Sequence, residues 1–275
     1  MIRRRFTLQQ PHGLIRGDVR VPDGPPPRSA VVVVHGFKGY KDWAFFPWVA
    51  EALAGDRHAV VTFNMTGSGI GADPHAFTEL EAFAANTYTR ELADLGAVLG
   101  ALREGRLGRV PERIGILGHS RGGADAVLHT AGDPGVAALV TWAAVANVDR
   151  WDPETRQEWR ASGRIYVLNA RTGQQMPLDV TLLDDVEGRG EALDPSAAAA
   201  RVSAPWLIVH GTGDETVDVS EGERLARAAP GARFLPVPGA GHTFGASHPF
   251  PGPGPELDAA MDATRAHFRT HLAPD

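Results

Sequence analysis

The sequence predicts an α/β fold in which a mostly parallel central sheet is covered by helices on both faces. Three observations predict it. Continuous apolar runs such as "AVVVV" (30–34) and "HAVVTF" (58–63) are what strands buried on both faces require. Other stretches repeat apolar residues at steps of three and four, which is helical spacing. The two kinds alternate along the chain, which implies parallel strands joined by crossover helices.

In order, "FTLQQ" (6–10) and "LIRGDVRV" (14–21) alternate around "PHG" and predict an antiparallel pair. "PDGPPPRS" is a turn. After the strand at 30–34 comes a helix, "FFPWVAEALAG" (45–55), where Pro47 fits only near the first turn. The strand at 58–63 leads into a glycine-rich loop, "NMTGSGIGADP". A helix is predicted over 79–105, with Tyr88, Leu92, Leu95, Leu99 and Leu102 as its buried stripe. "RIGIL" (113–117) is a strand, "RGGADAVLHTAG" (121–132) a helix and "VAALVTWAA" (136–144) a strand. "APWLIVHG" (204–211) and "ARFLPVPG" (232–239) are further strands. The terminal helix, 256–272, gathers Leu257, Met261, Phe268 and Leu272 on one side.

The alternation breaks at 147–203, which holds "DRWDPETRQEWRASG", a predicted hairpin "RIYVLNARTGQQMPL" and "VTLLDDVEG". It is too long for a connection and too apolar for disorder. We expect a cap-like insertion after the strand that follows the 121–132 helix, packed over the C-terminal edge of the sheet where α/β ligand sites lie. The whole of 1–275 is expected to be one domain, for which the length and the 43% hydrophobic content suffice.

A formal net charge of −6 argues against nucleic acid or an anionic membrane as partner. The absence of cysteine excludes disulfides, thiolate catalysis and cysteine-ligated metals. "MIRRRFTLQQPHG" is basic but lacks the apolar core of a secretory signal, and no run approaches a membrane span, so a cytoplasmic protein is expected. Oligomeric state is left open, a homo-oligomer included.

The chemistry centres on "GILGHSRGG" (115–123). Ser120 falls between a strand and a helix, on a tight turn that exposes its hydroxyl. Gly118 and Gly122 make room for the neighbouring backbone, and the helix N-terminus favours negative charge beside the hydroxyl. A serine needs a base. Of 11 histidines, His242 in "GAGHTF" is the best placed, in a glycine-flanked loop after the last strand. His119 should point away from the Ser120 hydroxyl, His210 should be packed at a strand end, and His248 is a rival. The base needs an acid to hold its tautomer. Asp214 in "WLIVHGTGDETVD" lies in the turn just past a strand, whereas Asp218 suits a helix start. Oxyanion donors are expected from the backbone amides of Arg121 and of Phe37 in "HGFKGYKDW". Trp43, Phe45, Trp142, Trp151 and Trp159 are candidates for an aromatic substrate pocket. "GHTFGASH" lacks the carboxylates of a metal site and "TGSGIG" lacks the ending of a phosphate loop, so neither metal nor cofactor is expected.

The segments "HGFKGYKDW", "NMTGSGIG", "GHSRGG", "HGTGDETV" and "GAGHTF", in this order, resemble those of α/β-hydrolases. The resemblance is closest in style to the branch with dienelactone-hydrolase-like proteins, cinnamoyl esterases and acylaminoacyl-peptidase-like hydrolases. It implies a Ser120–His242–Asp214 triad, oxyanion amides at Phe37 and Arg121, and cofactor-free hydrolysis. Serine replaces the cysteine of dienelactone hydrolase and the aspartate of dehalogenases and epoxide hydrolases, which argues against those activities. The 147–203 insertion is similar in position and size to that of cinnamoyl esterases. The function expected is a carboxylesterase acting on a small-molecule ester with a small or aromatic acyl group. The alternatives are a peptidase or amidase, and a ligand-binding member without turnover.

Overall fold

The computed structural model describes residues 1–273. Strands β1 (Ile2–Gln10) and β2 (Gly13–Val21) form the expected antiparallel pair, turning through Pro11 and His12. Then follow β3 (Ser29–Val34), α1 (Phe46–Gly55), β4 (Ala59–Asn64), α2 (Leu80–Ala84), α3 (Tyr88–Arg103) and β5 (Arg113–His119). The chain continues through α4 (Arg121–Thr130), β6 (Val136–Trp142), α5 (Pro153–Ser162), β7 (Arg164–Asn169), β8 (Gln174–Asp179) and α6 (Thr181–Arg189). A 3₁₀ turn and α7 (Pro195–Ala199) lead to β9 (Trp206–Gly211), α8 (Val219–Ala228), β10 (Arg233–Val237) and α9 (Pro255–His271).

The main sheet has the order β1-β2-β4-β3-β5-β6-β9-β10, with every pairing from β4 to β10 parallel. Within β3, Val31 and Val33 enter one core, and Ala30, Val32 and Val34 the other. Covering both faces is why the run "AVVVV" carries no polar residue. The first core takes α1 and α9 through Phe46, Leu53, Leu257 and Phe268. The second takes α3, α4 and α8 through Leu95, Leu99, Val127 and Leu225. From β3 the chain moves outward to β4, then returns past β3 to lay down β5. The order therefore reverses between β3 and β5, and a crevice opens at their carboxyl ends.

The helix expected over 79–105 is two helices. Thr87 is extended, with φ −139° and ψ 162°, and its hydroxyl accepts the Arg90 amide as an N-cap at 3.2 Å. Asn86 donates to Glu91 at 2.7 Å, so the first turn of α3 is tied from outside the helix. Of the stripe, Tyr88, Leu95, Leu99 and Leu102 are buried as the spacing predicts, and Leu92 is half-buried.

Between β6 and β9, β7 and β8 form the predicted hairpin, separate from the main sheet. Asp185 of α6 accepts the amide and hydroxyl of Thr89, Arg164 pairs with Glu81, and Gln174 donates to the Phe77 carbonyl. These contacts hold the inserted segment against α2 and α3. The charges of α5 are a solvated face: Arg156 and Arg160 pair with Glu187 of α6, while Trp159 is fully buried.

Around β5 the backbone is packed to contact. A Cβ on Gly118 would lie 2.3 Å from the Gly122 carbonyl oxygen, and one on Gly122 would lie 2.3 Å from the His35 carbonyl oxygen. Gly100 of α3 has nothing within 4 Å of such a Cβ. We therefore expect Gly122→Ala to destabilise the protein by about 2–3 kcal/mol through overpacking. Gly100→Ala should stabilise it by about 0.5–1 kcal/mol through helix propensity. Urea unfolding midpoints check both; equal effects at the two sites would refute the packing argument.

Candidate active site

Four loops converge at the crevice. Ser120 directly follows β5 with φ 58° and ψ −123°, a conformation that side-chain-bearing residues rarely adopt. Its amide donates to the Trp142 carbonyl at 2.9 Å, and its carbonyl accepts the Gly123 amide at 2.9 Å. The hydroxyl is thereby turned away from the sheet. Asp214 sits in the turn after β9, and His242 in the loop after β10. His242 Nε2 lies 3.0 Å from Ser120 Oγ, and Nδ1 lies 2.8 Å from Asp214 Oδ2.

Asp214 is buried, and its Oδ1 accepts the amides of Thr216 and Val217, both at 2.9 Å. Burial pushes its carboxyl up, but hydrogen bonds from His210, His242 and the Val217 amide outweigh this and hold it well below the usual carboxylate range. The charged carboxylate is acceptor-only. His242 therefore donates Nδ1–H to it and leaves Nε2 to accept the serine proton.

The remaining histidines near the site hold backbone. His119 is buried with Nε2 2.9 Å from the His242 carbonyl; burial and the neighbouring His242 push it down to about 3, so the neutral ring donates to that carbonyl. His35 donates Nδ1–H to the Gly36 carbonyl at 3.0 Å and accepts the Met65 amide at 3.3 Å. His210 donates to the Val217 carbonyl at 2.8 Å. His248 bonds the Tyr40 hydroxyl and the Ala44 amide, so it is engaged away from Ser120. Asp218 caps α8 by accepting the Ser220 amide, as its position suggested. The supporting role of His119 was invisible beforehand because the carbonyl it holds lies 123 positions away.

A Cβ on Gly36 would fall 2.9 Å from Ser120 Cβ and 3.4 Å from the Arg121 amide, so the segment leading to Phe37 lies against the serine turn. Arg121 is the first residue of α4, where helical amides lack a partner one turn back. Phe37, Ser120, Arg121 and His242 border one cavity of about 490 Å³. Trp151, Val167, Leu178 and Leu182 of the inserted segment line it as well.

The aromatic pocket expected from Trp43, Phe45, Trp142, Trp151 and Trp159 needs correction, because Trp151 alone of these five lines the cavity. Trp142 is fully buried with its indole N–H on Thr264, and Phe45 packs against Trp142 and Trp43 beneath the site. Trp159 is buried under the hairpin with its N–H on the Leu178 carbonyl. Each ring is large enough that the core beneath the loops claims it first.

The side chain of Arg121 was not anticipated either. Its Nε donates to Glu91 at 2.6 Å and its guanidinium lies 3.8 Å from the Tyr88 ring centroid. Asp125, one turn further along α4, is fully buried; burial and then Glu91 push its carboxyl far above the usual range. The Arg121–Glu91 ion pair thus lies at the start of α4, one turn before the buried Asp125.

Among the described residues no helix is long and apolar enough to cross a membrane, and no three His, Cys, Asp or Glu side chains gather as metal ligands. Residues 31–251 match the family described as the alpha/beta hydrolase family. A curated relative, 2,6-dihydropseudooxynicotine hydrolase of Paenarthrobacter nicotinovorans, is 30% identical over 203 residues, which is 72% of this chain. The matched region spans about half of that relative, 47% of its length. The esterase Est1E of Butyrivibrio proteoclasticus with ferulic acid bound is similar in fold, with TM-score 0.76 and 17% identity over 98% of this chain and 100% of that one. An alpha/beta hydrolase of Penicillium sp. sh18, GrgF, superposes with TM-score 0.76 and 16% identity over 100% of both chains.

The buried neutral His119 makes stability pH-dependent. Its folded value of about 3 lies below the ordinary value near 6.5, so the unfolded chain takes up a proton that the folded chain refuses. The stability is present above about pH 6.5 and is lost as pH falls toward about 3. His119→Gln keeps a donor for the His242 carbonyl and removes the titration. Urea titrations at pH 6 and pH 4 should give an acid-induced loss smaller by about one proton's worth than in wild type; an unchanged pH slope would contradict the assignment.

Proposed function

The chain belongs to the alpha/beta hydrolase family, and on that premise we propose that it is a serine carboxylesterase acting on small or aromatic acyl esters. The observation that carries this reading is the His242 ring, which bridges Ser120 Oγ at 3.0 Å and Asp214 Oδ2 at 2.8 Å over a positive-φ turn. The cavity beside Ser120 supports a small substrate, about 490 Å³ walled by Phe37, Tyr88 and Trp151 among others.

In this reading the Ser120 hydroxyl attacks the ester carbonyl as its proton passes to His242 Nε2. Asp214 accepts Nδ1–H throughout and stabilises the imidazolium. Negative charge develops on the carbonyl oxygen, where the amides of Phe37 and Arg121 are its donors. Each such donor contributes about 3 kcal/mol to the transition state. His242 then protonates the departing alkoxide, and an acyl-serine remains. A water that gives its proton to His242 attacks the acyl carbon, and Ser120 leaves with that proton. The neutral His119 beneath the loop keeps a second cation away from the imidazolium.

A p-nitrophenyl ester chain-length series tests this. Ser120→Ala should lower kcat/KM by at least about 10³-fold, and Asp214→Asn, which allows the wrong His242 tautomer, by about 10⁴-fold. Wild-type rates in Ser120→Ala would end the serine assignment. Inactivity of folded wild type on every ester, with turnover of aminoacyl amides, would replace the esterase by an amidase.

A further inference from the structure

The cavity is cationic in a chain whose formal net charge is −6. Its wall carries Lys38, Arg121, Arg150 and Arg171, and no aspartate or glutamate among the described residues. Two of the four are neutralised from behind, Arg121 by Glu91 at 2.6 Å and Arg150 by Glu221 at 2.8 Å. Lys38 and Arg171 meet main-chain carbonyls instead. Lys38 Nζ donates to the Leu168 carbonyl at 3.1 Å, and Arg171 donates to the Lys38 carbonyl. Each keeps further N–H donors beyond the one so used.

This pair joins the oxyanion segment to the tip of the β7–β8 hairpin, at the rim of the cavity. The Arg171 guanidinium lies over the Trp43 ring, 4.7 Å from its centroid, which fixes its plane. Asn169, 1% exposed, lines the same cavity, and its Nδ2 meets no acceptor among the described residues. Its Oδ1 accepts the Arg171 amide at 3.3 Å, so the amide orientation is set by the hairpin turn. Burial and the facing Arg171 lower the Lys38 ammonium from its ordinary value, and burial lowers Arg171. Holding like charges together beside a buried unpaired donor costs stability if the only purpose is to tie a hairpin down. An anion set among the three groups removes that cost.

We propose that Lys38, Asn169 and Arg171 form a carboxylate subsite, so that the substrate is a monoester of an aliphatic dicarboxylic acid. The ionised carboxylate meets the flat guanidinium fork and the ammonium. The methylene stem lies along Val145, Val148, Leu178 and Leu182, which line the same cavity. The ester carbonyl then stands at Ser120. Water adds to the acyl carbon, the ester C–O bond breaks, and the products are an alcohol, a dicarboxylate dianion and a proton. The reaction rests on the esterase reading above, whereas the binding of the carboxylate does not.

The test separates the two. Methanol release from monomethyl adipate and from dimethyl adipate is compared in wild type, Lys38→Gln, Arg171→Gln and Arg171→Glu. Independently, adipate is titrated into Ser120→Ala, with and without Arg171→Gln, by calorimetry at low and high salt. We expect kcat/KM to favour the monoester by at least about tenfold, this preference to collapse in Arg171→Gln, and Arg171→Glu to reverse it. Adipate binding should weaken at least about tenfold with Arg171→Gln and with added salt. Equal turnover of the two esters, or a preference untouched by all three rim variants, overturns the subsite and leaves the esterase standing. Turnover of neither ester, with adipate binding lost in Arg171→Gln and the p-nitrophenyl series also silent, upholds the subsite and removes the esterase reading. No adipate binding to Ser120→Ala, or tighter binding of inorganic phosphate, overturns the carboxylate assignment.

Discussion

The turn at Ser120 is the constraint on which the rest of the site depends. A non-glycine residue at φ 58° carries strain of about 1–3 kcal/mol, and it persists only when its surroundings leave no alternative. Here the surroundings are backbone. Strands β3 and β5 are paired from Ser29–Arg113 to Val34–Gly118, and α4 starts where β5 stops. Gly36, Gly118 and Gly122 bring these three elements to contact distance. The amide of Ser120 is held by Trp142 on the next strand, and its carbonyl also receives the amide of Val145. Relaxing the turn would mean parting the central strand from both neighbours.

The segments carrying His242, Asp214 and Phe37 are then held by bonds between main-chain carbonyls and buried histidines. His119 supports the His242 loop, His210 the turn carrying Asp214, and His35 the segment before Phe37. A histidine suits this task because a neutral ring donates from one nitrogen and stays uncharged when buried. Among the three residues that meet at the crevice Asp214 carries the charge, while Lys38, Arg121, Arg150 and Arg171 line the cavity beside them. The inserted segment contributes Trp151, Val167, Leu178 and Leu182 to the cavity lining. It is attached to the helices that flank the crevice, through Asp185 on Thr89 and Arg164 on Glu81, and to the segment after Phe37, through the Leu168 carbonyl on Lys38.

Much of this was legible from residue order. Strand–turn–helix around "GHSRGG", the acid one turn past "WLIVHG" and the histidine in "GAGHTF" all depend on local chemistry. Glycine permits close approach, β-branched runs specify buried strands, and a carboxylate after a strand has few places to go. The break between α2 and α3 was missed because the apolar period continues across it. The decisive signals were the polar side chains of Asn86 and Thr87, which form a cap and interrupt the helix. The tryptophans misled because an aromatic ring reads the same in a sequence whether it faces a cavity or a core.

By itself the sequence determined the layered α/β architecture, the hairpin within 147–203 and the three residues that meet at the crevice. Each of these follows from periodicity or from a turn only a few residues long. Only the tertiary structure decided which side chains line the cavity and where its charge lies. Arg121 meets Glu91 across two helices, Lys38 meets Leu168 and Arg171 across 130 and 133 positions, and Trp43 turns from pocket wall into a platform for a guanidinium. Contacts at such separations are set by how the inserted segment packs on the sheet edge, and no local pattern encodes that packing.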